Sequence, residues 1–275
     1  MRRHQRAADV ITYTLLALIM GFFLFPIVWL LLTSLKPARD AFTIPPVWIF
    51  RPILDNFRAV FSMVPVAAYL KNSLTIALGT TALSLVLGVP AGYGLARTAS
   101  RAAGNSALLM LAIRMAPPVA LLIPFYLVMR DMRLLGTYLA VILLQSVFNT
   151  TFVTWMMRGY FLSLPADLEL AAMTDGCTRF GAFWRVALPL AVPGLATAAI
   201  FTFTFSWNDF LLPMLLSGRT TRTLTLGILE TMSTYEIGWN NMAAIGMITI
   251  LPVLLLGYIL QPYYVRGLTL GAVRE

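Results

Sequence analysis

Charged residues are scarce in this sequence. Of its 275 residues, 11% are Asp, Glu, Lys or Arg and 59% are hydrophobic, whereas a soluble domain has about 25% charged and about 45–50% apolar residues. The mean hydropathy of +0.82 reflects the same imbalance. This composition excludes an ordinary soluble globular protein.

Cysteine, histidine and lysine are nearly absent as well. The single cysteine, Cys177, cannot form a disulfide within the chain, and one histidine, His4, is too few for a metal cluster or a histidine-based triad. The two lysines, Lys36 and Lys71, each follow a leucine, so the Gly-Lys-Ser/Thr sequence of a phosphate-binding loop does not occur. The chain therefore lacks the residues for ATP hydrolysis by a P-loop mechanism.

Long apolar stretches take up most of the chain. Each is longer than the roughly 20 residues that a helix needs to cross a bilayer. The six predicted spans are residues 10–35, 72–96, 108–129, 134–157, 188–216 and 242–265. Within them only Arg114 and Asp209 are charged. The sequence therefore predicts an all-α membrane protein that forms one transmembrane domain over residues 1–275.

The net charge of +9 fits loops that face anionic lipid headgroups. No basic run with interleaved aromatic residues indicates a nucleic-acid surface. Arg2, Arg3 and Arg6 precede the first span and favour a cytoplasmic N-terminus. The apolar stretch behind them is too long for a signal peptide, so we expect it to be retained as the first span.

The loop 158–187, between the fourth and fifth spans, contains a predicted short helix. Pro165, Asp167 and Glu169 are typical of a helix start, and Gly176 is typical of a helix end. Leu168 and Ala171 fall near one face of this helix. A short helix of this kind outside the bilayer is suited to a groove on another protein.

Three sequence blocks resemble one family of membrane proteins. DLELAAMTDG at 167–176, followed by FWRVALPL at 183–190, resembles the EAA loop of permease subunits of binding-protein-dependent ABC importers, in the MalG-like carbohydrate branch. WNDFLLP at 207–213 resembles the fifth-span signature of that branch. QPYYVRGLTLGAV at 261–273 resembles its C-terminal signature. The three blocks occur in order and the resemblance covers essentially the whole chain.

The resemblance implies a six-span, type I importer permease fold with a cytoplasmic coupling helix. It implies a second homologous permease, an ATPase dimer that carries ATP and Mg, and an extracytoplasmic binding protein that delivers a sugar or polyol. Both termini would then be cytoplasmic, in the bacterial inner membrane, and loop 217–241 would be external. That loop holds candidate contacts for the binding protein: Arg219, Arg222, Glu230, Tyr235, Glu236 and Trp239.

By the same resemblance, the helix in loop 158–187 would couple the chain to its ATPase. The implied coupling residues are Leu168, Glu169, Leu170, Ala171, Ala172, Asp175 and Gly176. This sequence departs from the family pattern, because Leu170 stands where the family usually has glutamate and Glu169 lies one residue earlier. A polar contact with the ATPase is then either absent or made by Glu169, which points about 100° around the helix.

Polar residues within the spans are candidates for the substrate path. Trp207, Asn208 and Asp209 combine a ring, an amide and the one acid deep in a span, which suits sugar hydroxyl groups. Gln145 and Asn149, four residues apart, lie on one helix face. Hydrogen bonding between helices is the alternative role for Trp207, Asn208, Gln145 and Asn149. The alternative for Asp209 is a position near the outer end of the fifth span, where its carboxylate is paired or hydrated. For Arg114 we expect a structural role.

Three alternatives stay open from the residues. An ion-coupled secondary transporter would depend on Asp209, but normally has more than one intramembrane acid and leaves the loop helix unexplained. An intramembrane enzyme lacks support, because neither a metal-binding motif nor a carboxylate dyad occurs. An ABC importer for a non-carbohydrate solute, such as glycerol phosphate, fits the same patterns as a sugar importer.

Overall fold

The computed structural model describes residues 2–41, 43–98, 100–115, 117–231 and 238–269. Within these ranges the regular structure is helical and contains no strand. The helices are α1 (Arg2–Leu35), α2 (Ala38–Ala41), α3 (Asp55–Met63), α4 (Val66–Arg97), α5 (Arg101–Met115), α6 (Pro118–Asp131), α7 (Tyr138–Ser163), α8 (Asp167–Thr174), α9 (Arg179–Ala182), a π-helical turn (Phe183–Ala187), α10 (Leu188–Leu190), α11 (Val192–Asn208), α12 (Leu211–Leu216), α13 (Leu224–Glu230) and α14 (Trp239–Thr269).

Four helical segments are long and apolar enough to cross a membrane by themselves. They are Asp9–Leu35, Val66–Arg97, Tyr138–Ser163 and Trp239–Ile259. Two bent pairs also qualify when each is counted as one span: Gly104–Met115 with Val119–Asp131, and Arg179–Leu190 with Val192–Asn208. The described residues therefore hold four to six candidate spans, while the exact limits given above stay predictions.

Two of the predicted spans, 108–129 and 188–216, are broken into separate helices. The breaks lie beside prolines and at Asn208–Asp209. Residues 188–216 are divided among α10, α11 and α12, and the axis bends by 75° between Leu190 and Val192. Pro193 lies in the first turn of α11, where the missing N–H costs no helical hydrogen bond. Likewise α6 begins next to Pro117, whose extended backbone does not continue a helix. Apolar composition alone does not reveal such breaks.

The chain divides into two compact units. The first, Met1–Val66 with Gly227–Leu251, contains α1, α2 and α3. The Asn56 side chain organises this unit, because its amide nitrogen donates to the carbonyls of Ser34 and Lys36 at 2.8 Å each, and its oxygen accepts from Asn240 at 2.6 Å. The apolar window of the first candidate span is not buried within the chain, so this surface is available to lipid or to another subunit.

The second unit, Ala67–Leu226 with Pro252–Glu275, contains the candidate sites. Its central element is α7, which packs against α4, α5 and α11. Helices α4 and α7 approach closely at two glycines of α4. A Cβ atom at Gly88 would lie 2.7 Å from Val153, and one at Gly92 would lie 2.8 Å from the Thr154 carbonyl oxygen. Small residues thus allow the two backbones to touch.

Candidate functional site

A cluster of polar side chains joins three helices of the second unit around Gln145 of α7. Gln145 is 2% exposed. Its Oε1 accepts hydrogen bonds from Thr80 of α4 and Ser206 of α11, and its Nε2 donates to Asp209 Oδ2 at 2.9 Å. Because a buried polar group is costly without partners, this side chain fixes the three helices relative to one another.

Asp209 lies at the break between α11 and α12. It ends α11 with extended backbone angles, and its Oδ1 accepts from the Leu211 backbone N–H at 3.1 Å. Its other carboxylate oxygen accepts from Gln145, as described above. The carboxylate therefore accepts hydrogen bonds from both the start of α12 and the buried amide.

A pocket of about 240 Å³ opens beside this cluster. Its polar groups come from Arg114, Gln145, Asn149, Ser206 and Asp209, and phenylalanine and leucine side chains supply the rest. The Asn149 amide also donates to the Gln145 backbone carbonyl at 3.0 Å. The structure thus brings together three of the five predicted substrate-path residues, Gln145, Asn149 and Asp209.

Arg114 lies between aromatic rings at this pocket. Its guanidinium carbon is 4.6 Å from the ring centroids of both Phe152 and Phe205. Cation–π attraction of this kind stabilises a guanidinium in an apolar environment. The arrangement fits the expected structural role, although the residue also lines the pocket.

The remaining two candidates of the substrate path do not line this pocket. Trp207 is buried and stacks on Phe203, with centroids 5.6 Å apart. Asn208 is exposed, and its amide donates to the Thr204 carbonyl one turn earlier in α11. The ring and the amide therefore lie outside the lining of this pocket, because neighbouring residues of one helix point in different directions.

The predicted helix of loop 158–187 is α8, with eight residues. The Cys177 N–H donates to the Ala172 carbonyl and the Gly176 N–H to the Met173 carbonyl, which is a Schellman ending. Gly176 has φ +96, a conformation in which glycine is strongly favoured. The Thr178 side chain then accepts from the Gly181 N–H and starts α9. These turns make a compact hairpin of α8 and α9.

The side chains of α8 divide into two groups. Leu168 and Leu170 are 47% and 54% exposed, and Ala171 is exposed beside them. Glu169, in contrast, is 5% exposed and faces the rest of the second unit. The helix therefore presents these apolar side chains and the exposed Asp167 outward, and Glu169 inward.

Glu169 is bound by two residues from the end of α4. Arg97 contacts its carboxylate through Nη2 at 2.6 Å and Nε at 3.0 Å, and the Tyr93 hydroxyl donates to it at 2.7 Å. Arg97 Nη1 also donates to the Phe161 carbonyl at 2.8 Å. This geometry does not favour a direct contact between Glu169 and an ATPase, because the carboxylate is already ion-paired within the chain.

Sequence reasoning missed Arg97 and Tyr93 as functional residues. Tyr93 falls within the predicted span 72–96, and Arg97 follows that span directly, so neither residue suggests a role in the loop helix. A signal was present, since the acid in the loop is displaced by one position from the family pattern and Arg97 is the last residue of α4. Pairing between residues 72 positions apart, however, depends on tertiary structure.

The beginning of loop 217–241 is fixed to the second unit. The Asn72 amide donates to the carbonyls of Thr220 and Arg222, at 3.0 and 2.8 Å, and its oxygen accepts from the Tyr138 hydroxyl. Arg219 is exposed next to this anchor. Two candidate contacts, Tyr235 and Glu236, lie outside the described residues.

No group of three His, Cys, Asp or Glu side chains that could hold a metal ion occurs among the described residues. The groups at the pocket are two amides, a hydroxyl, a carboxylate and a guanidinium, which can form hydrogen bonds, together with aromatic rings that offer apolar contact. Such a surface can bind or pass a polar solute.

Known proteins share both the sequence and the fold. Residues 86–270 match the family described as "Binding-protein-dependent transport system inner membrane component". The sulfoquinovosyl glycerol transport system permease protein SmoH of Agrobacterium fabrum is 38% identical over 253 residues, which cover 91% of this chain and 89% of SmoH. The trehalose transport system permease protein SugB of Mycobacterium tuberculosis is 35% identical over 266 residues, covering 94% of each chain.

A solved structure has the same fold. One chain of a bacterial ABC transporter involved in the import of the acidic polysaccharide alginate matches with a TM-score of 0.75 and 22% identity, covering 95% of this chain and 98% of that chain. The predicted all-α permease fold is thereby confirmed.

These similarities also confirm that the chain is a transporter component rather than an enzyme, since its relatives are permease proteins. They place it in the inner membrane as a multi-pass protein. This chain belongs to the family of inner-membrane permease components of binding-protein-dependent transport systems.

Proposed function

We propose that this chain is one permease subunit of an ATP-driven ABC importer for a sugar or polyol. An extracytoplasmic binding protein delivers the solute, and a second homologous permease completes the path across the membrane. Two ATPase subunits, with ATP and Mg bound, supply the energy. The names of SmoH and SugB, which refer to a glycoside and a disaccharide, support a carbohydrate cargo.

The observation that carries this proposal is the construction of α8. An eight-residue helix is too short to be stable alone, yet this one is held by a Schellman ending and a buried acid while Leu168 and Leu170 stay exposed. An apolar surface on a fixed short helix is suited to insertion into a groove of the ATPase. Loop 158–187 and both termini are then cytoplasmic, and loop 217–241 faces the binding protein.

Transport follows from coupling this helix to a bundle with two arrangements. The closed ATPase dimer binds one arrangement of α8 and the corresponding helix of the partner permease better than the other arrangement. This differential affinity shifts the permease pair between inward-open and outward-open forms. The breaks beside Pro117 and Asp209 divide the spans into shorter pieces. Such breaks at the ends of helices are points at which a span can bend when the two forms interconvert.

The pocket of Gln145, Asn149 and Asp209 is the proposed solute-facing surface of this subunit. Amide and carboxylate groups beside phenylalanine rings match the alternating hydroxyl and C–H surfaces of a sugar. The ion-coupled alternative is less favoured, because both Asp209 oxygens already accept hydrogen bonds from Gln145 and Leu211. Its carboxylate thus has a structural use that needs no transported ion.

Affinity purification tests the proposed function. The tagged chain would be isolated from its native membrane in mild detergent, and the recovered proteins would be identified and counted by mass spectrometry. We expect one homologous permease and two ATPase subunits. A Leu168→Asp/Leu170→Asp variant should lose at least nine tenths of the ATPase, because two charges would be placed on the apolar surface.

The matched control is Leu229→Asp, at a leucine of α13 that is 45% exposed and lies on the proposed opposite side of the membrane. It should retain the ATPase at the wild-type level. Recovery of the chain without any ATPase would contradict the importer assignment. Full retention by the double variant would contradict the docking role of α8.

A further inference from the structure

The ion pair between Arg97 and Glu169 connects three parts of the second unit. Arg97 is the last residue of α4, and Glu169 lies in the first turn of α8. The guanidinium also donates to the carbonyls of Phe161 and Leu164, at 2.8 and 3.4 Å, where α7 ends. Its Nε and both terminal nitrogens are therefore engaged, and both oxygens of Glu169 accept hydrogen bonds.

Tyr93 strengthens this junction from one turn earlier in α4. Its hydroxyl donates to Glu169, and its ring lies 5.3 Å from the ring of Phe161 and 4.7 Å from that of Phe183. Phe161 belongs to α7 and Phe183 to the π-helical turn. An aromatic cluster thus lies beside the ion pair, whose side chains are 20% (Arg97) and 7% (Glu169) exposed. Partial removal from water makes the attraction between the charges stronger.

A displacement of α8 would reach the pocket through this junction. Helices α4 and α7 are in backbone contact at Gly88 and Gly92, so they resist sliding past one another. Further along α7 lie Gln145 and Asn149, which line the pocket. Tightly packed helices transmit small shifts because their interiors are hard to compress.

We propose that Arg97, supported by Tyr93, is a positioning residue that transmits movement of α8 to the α4–α7 pair. The proposal rests on the proposed function, in which α8 docks to the ATPase. It also accounts for the departure from the family pattern: the acid at 169 holds α8 to its own chain, while the apolar Leu170 faces outward. The docking surface and the transmitting contact are thus opposite sides of one short helix.

A double substitution separates transmission from simple structural support. Removing one partner would leave a buried charge without its counterion, whereas replacing both by apolar residues of similar size is often tolerated. Arg97→Met/Glu169→Met therefore removes the connection while it avoids an unpaired charge. The variant is assembled with its partner permease and the ATPase subunits in proteoliposomes. The binding protein is then added as purified from the source cells, with any solute that it carries.

Two quantities are measured: ATPase retained during purification, and stimulation of ATP hydrolysis by the binding protein. We expect the amount of ATPase that purifies with the double variant to be within twofold of the wild-type amount. Stimulation of ATP hydrolysis by the binding protein should fall at least fivefold. Arg97→Lys, which keeps the charge but not the forked geometry, should show an intermediate loss. The control Arg130→Met/Asp131→Met removes an exposed ion pair of α6 with a 2.9 Å contact and should match wild type.

Stimulation within twofold of wild type in the Arg97→Met/Glu169→Met variant would overturn the proposal, because the contact would then be only structural. Loss of the ATPase from this variant would also overturn it, because the contact would then serve docking rather than transmission. Failure of the proposed function itself has a different signature, since the wild-type chain would then retain no ATPase.

Discussion

At the scale of single residues, Gln145 depends strongly on its hydrogen-bond partners. Its side chain accepts two hydroxyl hydrogen bonds and donates to Asp209 while it is almost fully buried. A leucine would fill much of the same space but leave the Thr80 and Ser206 hydroxyls without their acceptor. Unsatisfied buried groups of this kind each cost about 1–3 kcal/mol.

We therefore expect Gln145→Leu to lower the free energy of unfolding of the purified subunit by about 2–6 kcal/mol, as the combined cost of these groups. Thermal unfolding in detergent, followed by tryptophan fluorescence, measures the change. Thr75→Val is the control, because the Thr75 hydroxyl is exposed and bonds only to its own helix. An unchanged unfolding temperature for Gln145→Leu would contradict the central role of this side chain.

Asn149 and Asn208 allow a functional comparison between two amides. Asn149 lines the pocket, whereas Asn208 is exposed and outside it. Loss of one hydrogen bond to a sugar hydroxyl costs about 1.4 kcal/mol, or roughly tenfold in rate. The rate of uptake is measured with the solute that the binding protein carries. We expect this rate to fall about tenfold in Asn149→Leu and less than twofold in Asn208→Leu. Equal losses would remove the pocket from the substrate path.

At the scale of helices, the contact between α4 and α7 depends on glycine. A Cβ at Gly92 would lie 2.8 Å from the Thr154 carbonyl oxygen and 3.0 Å from the Arg158 backbone nitrogen. Both atoms belong to the backbone of α7, so neither can move aside without shifting the helix. The same helix α4 contains Gly94, whose surroundings are open.

These two glycines predict opposite effects of the same substitution. Gly92→Ala should destabilise the subunit by about 1–3 kcal/mol, because it overpacks the contact between helices. Gly94→Ala should be neutral or stabilise by about 0.5–1 kcal/mol, because alanine favours a helix over glycine. Unfolding of the two variants in detergent provides the measurement. A similar loss in both would mean that helix propensity, rather than close packing, decides the outcome.

The limits of sequence reasoning are also clearest at this scale. Charge-free stretches predicted the long helices well, because lipid tolerates few charges wherever they occur. The side of α8 that each residue occupies was harder to predict, since Leu168, Leu170, Ala171 and Ala172 leave little periodicity in eight residues. The inward direction of Glu169 follows from Arg97 and Tyr93, which are distant in sequence.

At the scale of the whole molecule, family and fold could be inferred from motifs, whereas the site depended on tertiary pairing. Gln145 and Asp209 were named separately, and nothing in their spacing indicated that they bond to each other. Trp207 was expected beside Asp209 on the substrate path, but an aromatic residue in an apolar helix packs equally well on either side. The structure places it against Phe203 instead.

The π-helical turn Phe183–Ala187 has a consequence for how the hairpin of α8 and α9 is oriented. A π turn holds one residue more than an α-helical turn, and one residue corresponds to roughly 100° of rotation about a helix axis. The phase of Phe180 relative to α11 is therefore set by the number of residues between them. A single deletion within this turn would restore an ordinary α-helical turn with nearly the same total rotation, whereas a deletion within α9 would rotate α8 by roughly 100° about the axis, even though every side chain of α8 would be unchanged.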